Sequence, residues 1–209
     1  MELNETIRRR RMVRAYEPDR PVPDDVVDRL LEHAIRAPSA GFSQGWDFLV
    51  LRSPDDRDRF WLSTREDPDA EPDSWLRGLM TAPLLVVCLS DKQRYLDRYA
   101  EPDKGWTDRD EARWPVPYWD VDTGMAGLMM LLTAVDAGLG SCFFGVPPAV
   151  HDAFRAAFDV PRDRTPVGVV SVGYSAEDRR SPSLRRGRRP VSEVAHEGRF
   201  ATPYRPADD

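Results

Sequence analysis

The chain has 209 residues, of which 41% are hydrophobic and 32% charged, a composition that predicts one soluble globular domain. Its formal net charge of −6 argues against a general binder of nucleic acid or anionic membranes, because long-range attraction follows the summed charge. No apolar stretch is long enough to span a membrane, and residues 1–20 lack the apolar core of a signal peptide, so we expect a cytoplasmic protein.

The spacing of apolar residues predicts helices and strands that alternate along the chain. Helices are expected at 3–11, from an N-cap at Asp24 to just before Pro38, at 54–64 with Ser53 as N-cap, at 120–137 and at 147–158. Strands are expected at 46–51, 84–89, 141–145 and 166–172. Strands separated by helices indicate a single α+β or α/β domain over residues 1–209.

Three segments depart from this pattern. Residues 66–74 are acidic and rich in proline, so we expect them to be exposed. Residues at about 91–118 are expected to form an insertion, and its tryptophan-rich part at 100–118 is either a loop packed on its own aromatic residues or a lid over a substrate. A basic arm is expected at about 175–209.

The two cysteines, Cys88 and Cys142, each lie in an apolar run, which predicts two buried free thiols and no disulfide. His33, His151 and His196 are scattered without the spacing of metal ligands, so no metal site is expected.

Two arginine clusters stand out because the rest of the chain is acidic. They are Arg8, Arg9, Arg10, Arg11 and Arg14 near the start, and Arg179, Arg180, Arg185, Arg186, Arg188 and Arg189 near the end. Together they hold 11 of the 30 basic residues, which leaves 19 basic against 36 acidic residues elsewhere. Guanidinium groups match phosphate oxygens in charge and geometry, so a bound phosphate is the predicted partner of these clusters.

Four motifs follow one another along the chain, and the first of them overlaps the N-terminal arginine cluster. The letters RRMVR span residues 10–14, APSAGFSQGW spans 37–46, and AGLGSCFFG spans 137–145, with RGRRP following at 186–190. In this order the motifs resemble those of the nitroreductase family of FMN-dependent oxidoreductases, and the resemblance covers roughly the whole chain. It implies an α+β fold, a three-layer α/β sandwich whose mostly antiparallel sheet is flanked by helices. It also implies a homodimer that exchanges its C-terminal extensions.

The resemblance also implies roles for individual residues. Arg10, Arg11 and Met12 would hold the FMN phosphate and ribityl chain, and Arg186 and Arg188 would close on the phosphate, usually across the dimer interface. Pro38, Ser39 and Ala40 would line the edge of the flavin ring, and Phe143, Phe144 and Gly145 would pass behind it. Arg14 would act as an electrostatic partner of flavin N1 and O2, where a cation favours reduction. No side chain is singled out as a catalytic acid or base.

The chain departs from the family pattern at three positions. Met12 replaces a serine, which removes a hydroxyl donor to the phosphate, and Gly45 replaces the proline before Trp46. Phe42 replaces an asparagine, which predicts a more apolar surface beside the flavin and an altered substrate preference. Phe42, Trp106, Trp114 and Tyr118 are therefore the candidate substrate residues, since aromatic faces suit planar organic substrates.

The resemblance predicts an FMN-dependent oxidoreductase that uses NAD(P)H as co-substrate and reduces a planar acceptor, such as a nitroaromatic compound, a quinone or an enone, by a ping-pong mechanism. One alternative is an enzyme of the same fold with other chemistry, a reductive dehalogenase or a dehydrogenase of natural-product synthesis. Another is a non-catalytic protein that carries a flavin or deazaflavin. A nucleic-acid binder is disfavoured by the acidic balance outside the two clusters.

Overall fold

The computed structural model describes residues 1–67, 69–177 and 182–205. The chain divides into two compact units, residues 1–178 and 179–209. Arg179 and Arg180 of the second cluster lie outside the described residues, as do Pro68 of the acidic segment and residues 206–209 of the arm.

The first unit is built on a four-stranded sheet with the order β1-β2-β4-β3. The strands are β1 (Trp46–Leu51), β2 (Leu84–Asp91), β3 (Gly140–Phe144) and β4 (Arg164–Gly173). Every neighbouring pair is antiparallel, with a register shift between Cys88 and Leu89 of β2. All four predicted strands are therefore confirmed, with ends that differ by at most two residues from the expected ones.

Helices cover both faces of this sheet because β2 is buried along its whole length and sends alternate side chains to opposite sides. Leu84, Val86 and Cys88 pack with α2 (Asp24–Ala34) and α6 (Tyr118–Asp136) in one apolar cluster. Leu85, Val87 and Leu89 pack with α3 (Pro54–Ser63), α4 (Ser74–Met80) and α7 (His151–Phe158) in a second cluster. The result is the expected three-layer arrangement.

Several predicted helix boundaries were wrong, and two of them near the start of the chain have a clear physical cause. The first helix, α1 (Leu3–Arg9), ends two residues early because the chain turns extended at Arg10, with ψ 120°, to lie beside β3. Asp24 does not cap α2, because the N-cap is Pro23 and Asp24 lies in the first turn of the helix. A negative charge at that position interacts favourably with the helix dipole. The Asp24 carboxylate also forms an ion pair with Arg52. The predicted cap of α3 is confirmed, since Ser53 Oγ accepts the Asp56 N–H at 3.1 Å.

Two helices had no counterpart in the sequence prediction. They are α4, which Asp73 caps by accepting the Leu76 N–H at 2.8 Å, and α5 (Lys92–Ala100), which Asp91 caps. The α5 helix begins the expected insertion at 91–118, which continues through a 3₁₀ turn at Glu111–Arg113 to α6. The helix expected at 147–158 is split into a 3₁₀ turn and α7.

Both cysteines are buried and free, as expected. Burial raises the pKa of the Cys88 thiol to about 12, so this thiol is inert at neutral pH. Among the described residues, no helix is long and apolar enough to cross a membrane. In the second unit the described residues contain a 3₁₀ helix at Pro182–Arg186 and a short helix, α8 (Val191–Val194).

Candidate functional site

The first arginine motif lies directly against β3. The Val13 N–H donates to the Ser141 carbonyl at 2.9 Å, and Met12 forms a parallel bridge with Ser141. The Phe143 N–H donates to Met12 Sδ at 3.5 Å. Two motifs that are about 130 residues apart in sequence are therefore neighbours, and Met12 makes its polar contact with the strand.

The arginines of this motif differ in their surroundings. Arg8, Arg9 and Arg11 are exposed, whereas Arg10 and Arg14 are half-buried. Arg9 pairs with Glu5 at 3.2 Å, and Arg14 Nη1 donates to the Met12 carbonyl at 3.4 Å. Within the described part of the chain, no carboxylate oxygen lies within 4.0 Å of the Arg10 guanidinium. Arg10 is therefore a half-buried residue whose positive charge is not neutralised by a described carboxylate.

The two phenylalanines at the end of β3 point to opposite sides of the sheet, as successive strand residues do. Phe143 lies on the α6 side, where its ring fills the space above Gly127 and Gly168, and a Cβ on Gly168 would come within 2.2 Å of it. Phe144 lies on the α3 side and stacks on Trp61, with ring centres 5.7 Å apart and planes at 13°. The two side chains are thus divided between the two faces of the sheet.

A cavity of about 450 Å³ opens beside Phe144. Its walls include Trp61, Trp75, Phe144 and Gly145, and Trp75 meets Phe144 edge-on at 6.3 Å. Neither tryptophan was among the residues predicted for the site. Only the packing of α3 and α4 against β3 reveals that both rings border one cavity.

This cavity lies close to the first arginine motif. Helix α4 contributes Trp75 and Leu76 to the cavity wall, and one turn later Gly78 touches the Arg14 backbone. A Cβ on Gly78 would lie 2.1 Å from the Arg14 carbonyl oxygen, so this close approach requires glycine. Both α4 and β3 therefore connect the arginine segment with the aromatic cavity.

The mouth of the cavity is acidic. Its residues include Glu66, Asp67, Glu71 and Asp73 against the single cation Arg65, whose guanidinium donates to the Ala70 carbonyl. Asp67 and Asp73 accept backbone N–H groups of their own turns. Such a mouth favours neutral or cationic molecules over anions, because the like charges repel in a partly enclosed space.

The second motif, 37–46, forms a tight turn with unusual backbone conformations. Gly41, Phe42 and Gln44 all have positive φ, at 61°, 56° and 50°. This region is costly for residues with a side chain, and above all for an aromatic one. Phe42 nevertheless keeps 76% of its surface exposed. The fold therefore presents an aromatic ring to its surroundings on a strained turn.

Contacts from α5 and α6 hold this turn. The Ala40 N–H donates to Tyr95 Oη and to Asp122 Oδ2, both at 3.1 Å, and the Arg98 Nε–H donates to the Gly41 carbonyl at 2.8 Å. Ser39 contributes a side-chain contact, since its Oγ accepts the Gln44 N–H at 3.1 Å, whereas Pro38 is exposed. Neither Tyr95 nor Asp122 was among the residues predicted for the site.

The candidate substrate residues Trp106, Trp114 and Tyr118 belong to one aromatic cluster with Tyr95 and Tyr99. Centroid distances in it are 4.5 Å for Tyr99–Trp114, 5.4 Å for Trp106–Trp114 and 5.9 Å for Trp114–Tyr118. Trp106 and Trp114 are half-buried and Tyr118 is exposed. Of the two interpretations of residues 100–118, the structure favours a loop packed on its own aromatic residues.

Arg186 and Arg188 belong to the second unit, where both are exposed. Arg186 ends the 3₁₀ helix, and Gly187 follows with φ of 70°. Among the described residues, only Arg189 of this cluster forms an ion pair, with Glu193 at 3.3 Å. Arg186 and Arg188 are thus available to bind an anion.

Comparison with known proteins identifies the family of this chain. A model of the Nitroreductase family matches residues 7–174, which is most of the chain. A protein of Methanothermobacter thermautotrophicus named "Putative NADH dehydrogenase/NAD(P)H nitroreductase" is 29% identical over 182 residues, covering 85% of this chain and 80% of the relative. An NADH dehydrogenase of Thermus thermophilus is 27% identical over 187 residues, covering 81% and 85%.

Solved structures show the same fold. A nitroreductase family protein of Clostridium difficile superposes with a TM-score of 0.68 at 23% identity, covering 96% of this chain and all of the other. A structure from Exiguobacterium sibiricum, solved in complex with FMN, gives a TM-score of 0.73 at 19% identity, covering 93% and 96%. These likenesses establish the fold of this chain.

Proposed function

Because the chain belongs to the nitroreductase family, we propose that it is an FMN-dependent oxidoreductase that takes hydride from NAD(P)H and reduces a planar organic acceptor. The observation that carries this proposal is that β3 and α4 contact both the aromatic cavity and the segment 10–14, whose Arg10 is not neutralised by the described carboxylates. A phosphate-bearing planar molecule combines the two chemistries that these features recognise.

The residues fit FMN at both ends. Arg10 and Arg11 would supply guanidinium groups for a phosphate, and Arg186 and Arg188 would add theirs from the second copy of a dimer, as the family resemblance implies. The Met12 thioether accepts a hydrogen bond from the strand. Trp75 and Phe144 border the cavity with aromatic surface, and Trp61 stacks on Phe144. The cavity volume of about 450 Å³ is in the range of small-molecule sites, roughly 300–1,000 Å³. The acidic mouth of the cavity would accommodate the ring system of FMN better than its anionic phosphate, because like charges repel.

In the proposed reaction the flavin supplies the redox chemistry, and the protein supplies binding, orientation and charge. Arg14 would hold a positive charge beside the flavin ring, as the family resemblance implies, and would stabilise negative charge that develops there. The aromatic walls exclude water from the cavity and orient flat molecules by stacking. Since nicotinamide and acceptor would use the same face in turn, a ping-pong mechanism follows.

We further propose that the active form is a homodimer in the cytoplasm. In the single chain, α6 leaves an apolar stripe uncovered: Val121 and Leu128 are 41% and 46% exposed, and Met125 and Leu132 lie half-buried on the same face. A second copy would cover this stripe.

The test begins with the absorption spectrum of the purified protein, followed by release and identification of its chromophore. FMN, together with parallel lines in double-reciprocal plots of NAD(P)H and nitroaromatic or quinone concentrations, is the expected outcome. A bound deazaflavin, or FMN without rapid NAD(P)H oxidation by any small acceptor, would point to the carrier instead. Preferential turnover of halogenated or saturated substrates would point to a dehalogenase or a dehydrogenase.

A further inference from the structure

The Ala40–Phe42 turn is held from below by a buried polar pair. Asp122 on α6 is 3% exposed and Tyr95 on α5 is fully buried, yet both have polar groups that face the same backbone amide. The Tyr95 hydroxyl donates to Asp122 Oδ2. The Ala40 N–H donates to Tyr95 Oη and to Asp122 Oδ2. Each buried oxygen is therefore satisfied by the other group or by the turn.

This arrangement binds the pair to the turn. Burial, together with the Asp122 carboxylate, raises the pKa of Tyr95, so its hydroxyl stays protonated and remains a donor at any physiological pH. A buried carboxylate that loses its donors is costly, because desolvation is no longer offset. Moving Ala40 away would remove one donor from Asp122, and the pair therefore resists displacement of the turn.

The neighbouring contacts also restrain the turn. The Tyr99 ring lies under Gly41, where an added Cβ would come within 2.9 Å of it, and Arg98 donates to the Gly41 carbonyl. Arg98 is itself held by Asp103 at 2.7 and 2.8 Å. Phe42 follows these restrained residues. Packing within the described part of the chain does not explain its exposed ring or its positive φ. A strained, exposed residue that tertiary contacts hold in place is typical of a functional surface.

We propose that Asp122 and Tyr95 are positioning residues that fix the Ala40–Phe42 turn and thereby set how tightly the acceptor binds against Phe42. Neither residue touches the acceptor. The part of this proposal that concerns acceptor binding rests on the proposed oxidoreductase function, whereas the part that concerns the turn does not.

Hydrogen exchange followed by mass spectrometry tests the structural part on the full-length protein without an activity assay. The amides of Ala40, Phe42, Ser43 and Gln44 all donate hydrogen bonds within or beneath the turn. In Asp122→Ala and in Tyr95→Phe, a peptide covering 38–46 should exchange at least about tenfold faster than in the native protein. Tyr95→Phe keeps the ring and its packing, so it is informative even if Asp122→Ala does not fold.

Asp120→Asn is the matched control. Asp120 precedes Asp122 by two residues on α6 and accepts a hydrogen bond from the Ser90 hydroxyl at 2.6 Å, and not from the Ala40–Phe42 turn. Its substitution should leave the exchange of 38–46 unchanged. Asp122→Asn retains a carbonyl oxygen for Ala40 and should stay within about threefold of the native protein. Equal loss in Asp122→Asn and Asp122→Ala would overturn the proposal, since charge and not an acceptor oxygen would then matter.

Steady-state kinetics with saturating FMN tests the functional part. The KM for a neutral nitroaromatic acceptor should rise about tenfold in Tyr95→Phe and Asp122→Ala while kcat stays within about twofold, because loss of binding shared by ground and transition states affects KM. Unchanged exchange and unchanged KM in both variants would overturn the proposal. If the native protein binds no FMN and oxidises no NAD(P)H, the proposed function fails, but the exchange result still decides the role of the pair.

Discussion

The Arg14 carbonyl lies against Gly78 of α4, so closely that a Cβ on Gly78 would approach its oxygen to 2.1 Å. Gly78→Ala should therefore destabilise the protein even though alanine favours helices by about 1 kcal/mol. The strain of forcing two backbones apart is about 1–3 kcal/mol, so after the gain in helix propensity we expect a net loss of up to roughly 2 kcal/mol. Urea unfolding at fixed protein concentration measures it.

Ser74→Ala is the control for this substitution, because Ser74 is exposed at the start of the same helix. It should change the free energy of unfolding by less than about 0.5 kcal/mol. A Gly78→Ala protein as stable as the native one would mean that the contact between α4 and the arginine segment is not close.

Removal of Arg10 or Arg188 should weaken FMN binding. A charge-assisted hydrogen bond contributes about 1.5–3 kcal/mol, so Arg10→Ala and Arg188→Ala should each raise the Kd for FMN by roughly ten- to a hundredfold. Arg8→Ala is the control, since Arg8 is an exposed residue of α1. Titration with fluorescence detection gives the three constants, and equal losses in all three would indicate only a general charge effect.

Arg14→Met should change the redox potential of the bound flavin. A cation beside N1 stabilises the reduced, anionic ring more than the oxidised ring, so its loss should lower the midpoint potential by tens of millivolts, about 30 mV for each 1.4 kcal/mol. Reduction by the nicotinamide should become slower, and phosphate binding should suffer less than in Arg10→Ala. Spectroelectrochemical titration with saturating FMN is the measurement, and an unchanged midpoint would contradict the electronic role.

Leu128→Glu should dissociate the proposed dimer, because it places a charge in the uncovered apolar stripe of α6. Sedimentation should then show a monomer with weakened FMN binding. Leu62→Glu is the matched control, since Leu62 of α3 is 62% exposed but lies outside the stripe. A native protein that is monomeric at micromolar concentration with a full complement of FMN would refute the dimer.

The acidic mouth of the cavity should select acceptors by charge. The double variant Glu66→Gln/Glu71→Gln should raise kcat/KM several-fold for an anionic acceptor such as nitrobenzoate and leave neutral nitrobenzene unaffected. High salt should remove the difference, because exposed charges are screened beyond about 10 Å at 0.1 M. Asp25→Asn/Asp28→Asn on α2 alters the net charge equally and should have no effect. Identical gains in both double variants would rule out a local role of the mouth.

The sequence by itself determined the elements whose physical cause is local. Apolar runs placed all four strands, Ser53 capped α3, and the apolar surroundings of Cys88 and Cys142 predicted buried thiols. It also brought together, by order alone, the motifs at 10–14, 37–46 and 137–145 that indicated the family. These features depend on neighbours within a few residues or on motif order, which a sequence displays directly.

Only the tertiary structure decided how those motifs form a site. The extended chain after Arg9 exists because Val13 pairs with Ser141, and the cavity exists because Trp61 and Trp75 reach Phe144 from two different helices. The role of Asp122 in the site could not be predicted from a local sequence pattern, because its hydrogen-bond partner Ala40 is 82 residues away. Such contacts depend on how whole elements pack, and the burial and hydrogen bonding that stabilise them arise only when distant segments meet.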